Sequence, residues 1–240
     1  MGQQQGKDVL YYTSMYNLHC SNFYSKPLLK ILGPVLILLL TSQFAAAQEE
    51  RSPQVLNPVQ LRALFLPEYL QDFADTNVPL TVTPNSVVPT TGFAQSCLEA
   101  LELELGASVY IIGRATGFIS AYFARNGMEV TVSEAETSLV DSYRGIWNDL
   151  ELTKIIQIDF SELKNSSSTR SFDAILIHTG VTEIPEALTD MLAESGVLIA
   201  PLSNLQDTQI MLQLRKDGRS WSVSTLQNQF FPLSPLILKE

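Results

Sequence analysis

Histidine and cysteine are almost missing from this chain: two of each stand among 240 residues, at His19, Cys20, Cys97 and His178. That leaves no Cys/His cluster with metal-ligand spacing and at most one disulfide. Positive charge is also scarce. Fifteen Lys and Arg face 25 Asp and Glu, a formal net charge of -10. Such a balance offers no positive field for nucleic-acid phosphates or an anionic bilayer surface, which excludes a generic nucleic-acid binder. An uninterrupted apolar run long enough to span a bilayer is lacking too, since the longest at the N-terminal end covers only Val35 to Leu40.

What is present near the start has the order of an export signal. Lys26 and Lys30 precede or open the apolar stretch LLKILGPVLILLLTSQFAAA, and Ala45, Ala46 and Ala47 close it. Basic, apolar and small residues in that sequence read as a secretory leader, so the expectation is a signal peptide over 1–47, cleavage after Ala47 and a periplasmic or secreted protein. An uncleaved anchor is the alternative, and only then would the membrane be a partner. Residues 48–53, QEERSP, form a polar linker, and 54–240 one domain. Removal of the leader leaves 12 basic and 24 acidic side chains and a single cysteine, Cys97. A lone thiol in the apolar phrase SCLEAL reads as a small core residue.

From Pro58 to Phe65 the pattern predicts a short helix, and the Pro- and Thr-rich stretch from Thr76 to Gly92 predicts an extended loop. Beyond it the apolar period alternates. Helical spacing at Phe93 to Leu103, Gly117 to Arg125 and Thr137 to Leu150 is interleaved with β-branched runs at Val109 to Ile112, Glu129 to Val132 and Ile155 to Ile158. The polar phrase KNSSSTR reads as a loop. A strand over Phe172 to Ile177, a helix around Pro185 to Ala193 and strands over Val197 to Ala200, Thr208 to Leu214 and Trp221 to Gln229 complete the series. The fold class is α/β: a parallel sheet with helices on both faces and a β-rich C-terminal part.

In such a sheet ligands gather beyond the carboxyl ends of the strands. The loop there begins Gly113-Arg114-Ala115-Thr116-Gly117, where Gly113 permits a tight turn and the small residues at 115 and 117 allow a close approach to backbone. Glu134, 21 residues after Gly113, follows the second strand and can accept from ribose hydroxyls. Asp159 follows the third strand and can reach the amino edge of a base. His178 and Thr179 end the fourth, beside any reacting group. Ala115 in place of a middle glycine argues against a nicotinamide dehydrogenase.

These residues carry a resemblance to the protein-L-isoaspartate O-methyltransferase family. It runs over nearly the whole chain after the leader, through LFLPEYLQDFADTNVPL, EALELELGASVYIIGRATGF, SFDAILIHTGVTEIPEALTDMLAESGVLIAP and FFPL. The resemblance implies a Rossmann-like class I methyltransferase sheet and S-adenosylmethionine as cofactor. The implied activity is methylation of isoaspartyl carboxylates in damaged proteins or peptides; separately, a monomer is expected. It implies that Gly113, Ala115, Gly117, Glu134 and Asp159 form the cofactor site. Three positions depart from the family pattern: Ile111 stands for an acid, Arg114 for a small residue and Ala115 for glycine. Pro89 occupies the position of the substrate-loop serine, so Thr90 or Thr91 would supply the catalytic-side hydroxyl. Arg114, His178 and Thr179 fall on the substrate side. A second reading stays open: an inactive exported relative that binds a peptide or anionic ligand through Arg114.

Overall fold

The computed structural model describes residues 56–159, 170–203, 209–218 and 220–226, all within one compact unit, Val55–Glu240. The expected leader and linker, most of the KNSSSTR loop, residues 227–229 of the last strand and the FFPL phrase lie outside the described residues.

The chain enters through helix α1, Pro58–Leu64, which Asn57 and Gln60 start by a reciprocal capping box with Pro58 in the first turn. A 3-10 turn, Glu68–Phe73, follows. Its connection to the rest is irregular, and one cation organises it. Arg62 is fully buried, and its guanidinium donates to the carbonyls of Ala74 (2.9 Å), Thr76 (2.8 Å), Val78 (2.6 Å) and, more weakly, Val88 (3.5 Å). Burial lowers the Arg62 pKa, while the charge of Asp75 opposes that shift.

The stretch expected to be one extended loop instead contains a hairpin. Strands β1, Leu80–Thr83, and β2, Ser86–Val88, pair antiparallel from Leu80 opposite Val88 to Thr83 opposite Ser86. Pro84 and Asn85 turn the chain between them; proline fixes the first turn position and asparagine tolerates the second. Helix α2, Thr91–Leu101, then begins two residues before the expected Phe93 and stops at Glu102, whose left-handed φ of 51° ends it.

The main sheet has seven strands in the order β5-β4-β3-β6-β7-β8-β9. Its parallel part comprises β3, Ser108–Gly113; β4, Glu129–Glu134; β5, Ile155–Gln157; β6, Phe172–His178; and β7, Leu192–Ser203. Strands β8, Gln209–Asp217, and β9, Ser220–Thr225, add two antiparallel members. Helices α3, Gly117–Arg125, and α4, Thr137–Asp149, link the parallel strands. Successive strand residues point to opposite faces. Val109, Ile111, Leu176 and Ile199 therefore pack beneath Leu61, Cys97, Phe118, Ile119 and Trp147 of α1 to α4. Tyr110, Ile112, Ile175, Ile177 and Leu198 face the other way, toward Leu188 of α5, Glu186–Asp190. Helices thus lie on both faces, as expected.

Helix α5 is shorter than the expected Pro185 to Ala193. Phe172 N–H donates to the Met191 carbonyl (2.8 Å), and Phe172 pairs with Leu192, so the sheet claims residues that the apolar pattern assigned to a helix. Strand β7 accordingly starts well before Val197.

Candidate functional site

Strand β3 has β4 on one side and β6 on the other, so the connections leaving its carboxyl end diverge there. Gly113 ends β3 opposite Glu134 of β4 and His178 of β6, which brings three of the sequence-derived residues together by register alone. Gly113 has φ 148°, and a Cβ there would lie 2.5 Å from the His178 carbonyl carbon and oxygen. Its glycine is required by the chain's own packing. Arg114 N–H donates to the His178 carbonyl (3.1 Å), and the His178 Nδ1 lies 2.7 Å from the Arg114 carbonyl. That acceptor assigns the ring proton to Nδ1. Burial depresses the His178 pKa to about 4, the bond to Arg114 opposing, so the ring is neutral at pH 7. Neither His178 nor the equally buried Thr179 presents an exposed surface to a substrate.

The turn that follows keeps a glycine-like shape without its middle glycine. Ala115 has φ 52°, the left-handed region, and Thr116 returns to right-handed helical angles before α3 starts at Gly117. Consecutive residues of opposite hand aim their N–H groups at one point and make an anion cradle. A carboxylate of the chain fills it. Glu134 Oε1 accepts from Ala115 N–H (3.2 Å) and Glu136 N–H (2.8 Å); Oε2 accepts from Thr116 N–H (2.7 Å) and the Thr116 hydroxyl (2.8 Å). Burial raises the Glu134 pKa and these donors hold it down.

Gly117 faces aromatic packing. A Cβ there would stand 2.6 Å from the Phe65 ring and 2.7 Å from the Tyr143 ring, and Trp147 Nε1 donates to the Gly117 carbonyl (3.1 Å). The Phe65 and Tyr143 rings meet edge to face at 5.5 Å. The Tyr143 hydroxyl is buried with no partner among the described residues, and burial, then the charges of Glu134 and Glu136, push its pKa up.

Arg114 is not a cation standing alone. Its guanidinium meets Glu136 at 2.9 Å with about a fifth of each side chain exposed, and Glu136 also accepts from Ser138 (2.9 Å) and from Thr83 of the β1–β2 hairpin (3.4 Å). Through Thr83 the hairpin sits beside the turn. Thr90, just after that hairpin, is buried and caps α2, its hydroxyl oxygen accepting from Phe93 N–H (3.0 Å). Thr91 is the first, half-buried residue of α2. Asp159 is exposed beyond β5, and its charge raises the pKa of Tyr110 after the larger effect of burial.

Thr116, Glu136 and Tyr143 belong to this constellation although the sequence reading did not single them out. Thr116 had a signal, a hydroxyl inside a glycine-bounded turn, and Glu136 repeats the acid of Glu134 two residues on. Tyr143 had only the helical spacing of a core residue.

The chain matches the family model "Protein-L-isoaspartate(D-aspartate) O-methyltransferase (PCMT)" over residues 39–235. A protein-L-isoaspartate O-methyltransferase 1 of Rhodopseudomonas palustris is 26% identical over 179 residues, 74% of this chain and 73% of that protein. A protein-L-isoaspartate O-methyltransferase of Azorhizobium caulinodans is 26% identical over 186 residues, 76% of this chain and 86% of its own. Among solved structures, a protein-L-isoaspartate O-methyltransferase superposes with a TM-score of 0.64 at 19% identity, covering 75% of this chain; the chain spans 62% of that structure's length. One from Plasmodium falciparum, described as putative and in complex with S-adenosyl-L-homocysteine, superposes with a TM-score of 0.58 at 20% identity, covering 78% of this chain and 94% of the other. These superpositions show the shared fold.

Proposed function

The chain belongs to the protein-L-isoaspartate(D-aspartate) O-methyltransferase family, and from that premise we propose that it transfers the methyl group of S-adenosylmethionine to the free carboxylate of an isoaspartyl residue in a protein or peptide. The observation that carries the reading is the 113–117 turn, which holds a glycine-type conformation at Ala115 and leads into the N-terminus of a nine-residue helix. The turn and the exposed carboxylate of Asp159, beyond the end of β5 two strands away, fit a nucleoside that carries an amino-acid tail. When bound, S-adenosylmethionine supplies an electrophilic methyl group on a sulfonium sulfur. The nucleophile is already an anion at neutral pH, so little acid or base help is needed and the protein's contribution is alignment.

The chain's residues divide that labour. The turn and Asp159 hold the donor, and Thr90 and Thr91 at the start of α2 stand on the substrate side. The pairing of Arg114 with Glu136 cancels the cation that would otherwise repel a sulfonium, and removes the unpaired charge on which the ligand-binding alternative relied. A protonated, deeply buried Cys97 takes no part, its thiol pKa pushed up by burial. Export behind residues 1–47 forms part of the same proposal; N-terminal sequencing of the protein recovered outside the cytoplasm should begin at Gln48.

Purified protein with methyl-labelled S-adenosylmethionine should transfer label to a peptide containing one isoaspartyl residue, and not to the same peptide with ordinary aspartate. The transferred label should be lost in base, as a methyl ester is. No transfer, together with no detectable binding of S-adenosylhomocysteine, would sink the proposal.

A further inference from the structure

We propose that Glu134 is a positioning residue: its carboxylate builds the 113–117 turn that Ala115 resists, and the ribose hydroxyls of a bound donor are received by other groups. The ligand's identity rests on the reading just given; the loop geometry does not.

The first support is acceptor capacity. A carboxylate has about four lone-pair positions, and the chain's own donors take four: the amides of Ala115, Thr116 and Glu136 and the hydroxyl of Thr116, at 2.7 to 3.2 Å. To receive a ribose edge, Glu134 would have to release donors from Thr116, which is fully buried. Those buried donors would then lose their charged partner at a cost.

The second support is the conformation of residue 115. An L-residue with a Cβ resists the left-handed region that glycine enters freely. Ala115 sits there at φ 52°, and the amides that this conformation aims inward are the ones Glu134 binds. The carboxylate therefore offsets the missing middle glycine. Positions 115 and 134 are coupled, and restoring glycine at 115 should make the carboxylate dispensable for the shape of the turn. The same donors oppose the desolvation that raises the Glu134 pKa.

The test is calorimetric titration of wild type, Glu134→Gln, Ala115→Gly and the double variant with S-adenosylhomocysteine and with its 2′-deoxyribose counterpart. Glu134→Gln should weaken binding about tenfold or more, as loss of one charge-assisted bond does. Adding Ala115→Gly should restore most of it. Removing the 2′-hydroxyl should weaken wild type and Glu134→Gln by the same factor. The proposal is overturned if Glu134→Gln erases the preference for the hydroxylated sugar, or if Ala115→Gly restores nothing.

If wild type binds neither compound, the methyltransferase reading falls, and amide exchange in the ligand-free protein decides the positioning role. Exchange at the amides of 115, 116 and 136 should then speed up about tenfold in Glu134→Gln, and slow again in the double variant. Unchanged protection at those three amides refutes the role. Should Glu134→Gln fail to fold, Thr116→Val removes one donor from the same carboxylate. It should loosen the amides of 115 and 116 by about threefold, and no change would refute the role as well.

Discussion

Two charges in this protein, the buried Arg62 and the half-buried Glu134, gather backbone groups, and they do so in opposite ways. Arg62 collects carbonyls spread from Ala74 to Val88, all of them remote from it in sequence. Glu134 collects amides from one tight turn and from its own strand end. The guanidinium ties the irregular stretch from Ala74 to Val78, and the end of strand β2, to helix α1, so its loss should be felt across the fold. The carboxylate shapes a few residues, so its loss should be felt where a ligand would lie. A charge that organises a long segment acts on stability, and one that organises a turn acts on function.

The sharpest way to break the contrast is at Arg62. Arg62→Met should destabilise the protein by about 3–5 kcal/mol in urea unfolding, because several buried carbonyls lose their donor together. Arg62→Lys should recover only part of this, since an ammonium lacks the planar fork that serves several acceptors at once.

Acid should separate the two regions next. His178 has its pKa depressed to about 4 in the folded state, so the unfolded chain binds the extra proton first. Stability from this group is full above the ordinary histidine value and is lost as pH falls toward 4. The loss is on the order of 3 kcal/mol. Glu134, with a raised pKa, acts in the opposite sense and gains stability as pH falls through its folded value. Melting curves from pH 7 to 4 should therefore fall in wild type and flatten in His178→Gln. Arg62 stays charged throughout, and protection of the amides around Ala74 to Val78 should not follow the titration.

Packing at Gly117 supplies a third, smaller effect. Gly117→Ala should cost about 1–3 kcal/mol, because a methyl group would press on the Phe65 and Tyr143 rings. Gly145, inside α4 with nothing within 4 Å of a Cβ, is its control. There Gly145→Ala should stabilise by about 0.5–1 kcal/mol. The smallest expected change is Ala115→Gly, which relieves the left-handed strain and should add up to about 1 kcal/mol after the added freedom of the unfolded chain is counted. Thermal melts measure all three.

The alternation of strands and helices was legible because Val109 to Ile112 and Ala174 to Ile177 are apolar on both faces, the mark of strands covered from both sides. The meeting of Gly113, Glu134 and His178 was legible for a related reason: each closes a strand, and parallel strands end at one edge. The β1–β2 hairpin was not legible, since proline and threonine hid its alternation. Nor were the roles of Glu134 and Arg62, most of whose partners are main-chain groups common to every residue and therefore silent in the letters. The resemblance assigned Gly117 to a cofactor, and only the positions of Phe65 and Tyr143 show what its missing side chain leaves room for.

Gly113 has an implication for how such chains are to be judged. Because any larger residue would collide with the backbone of His178, a descendant that had abandoned catalysis altogether would still be obliged to keep glycine there merely to remain folded. Its presence is thus poor testimony to enzymatic competence.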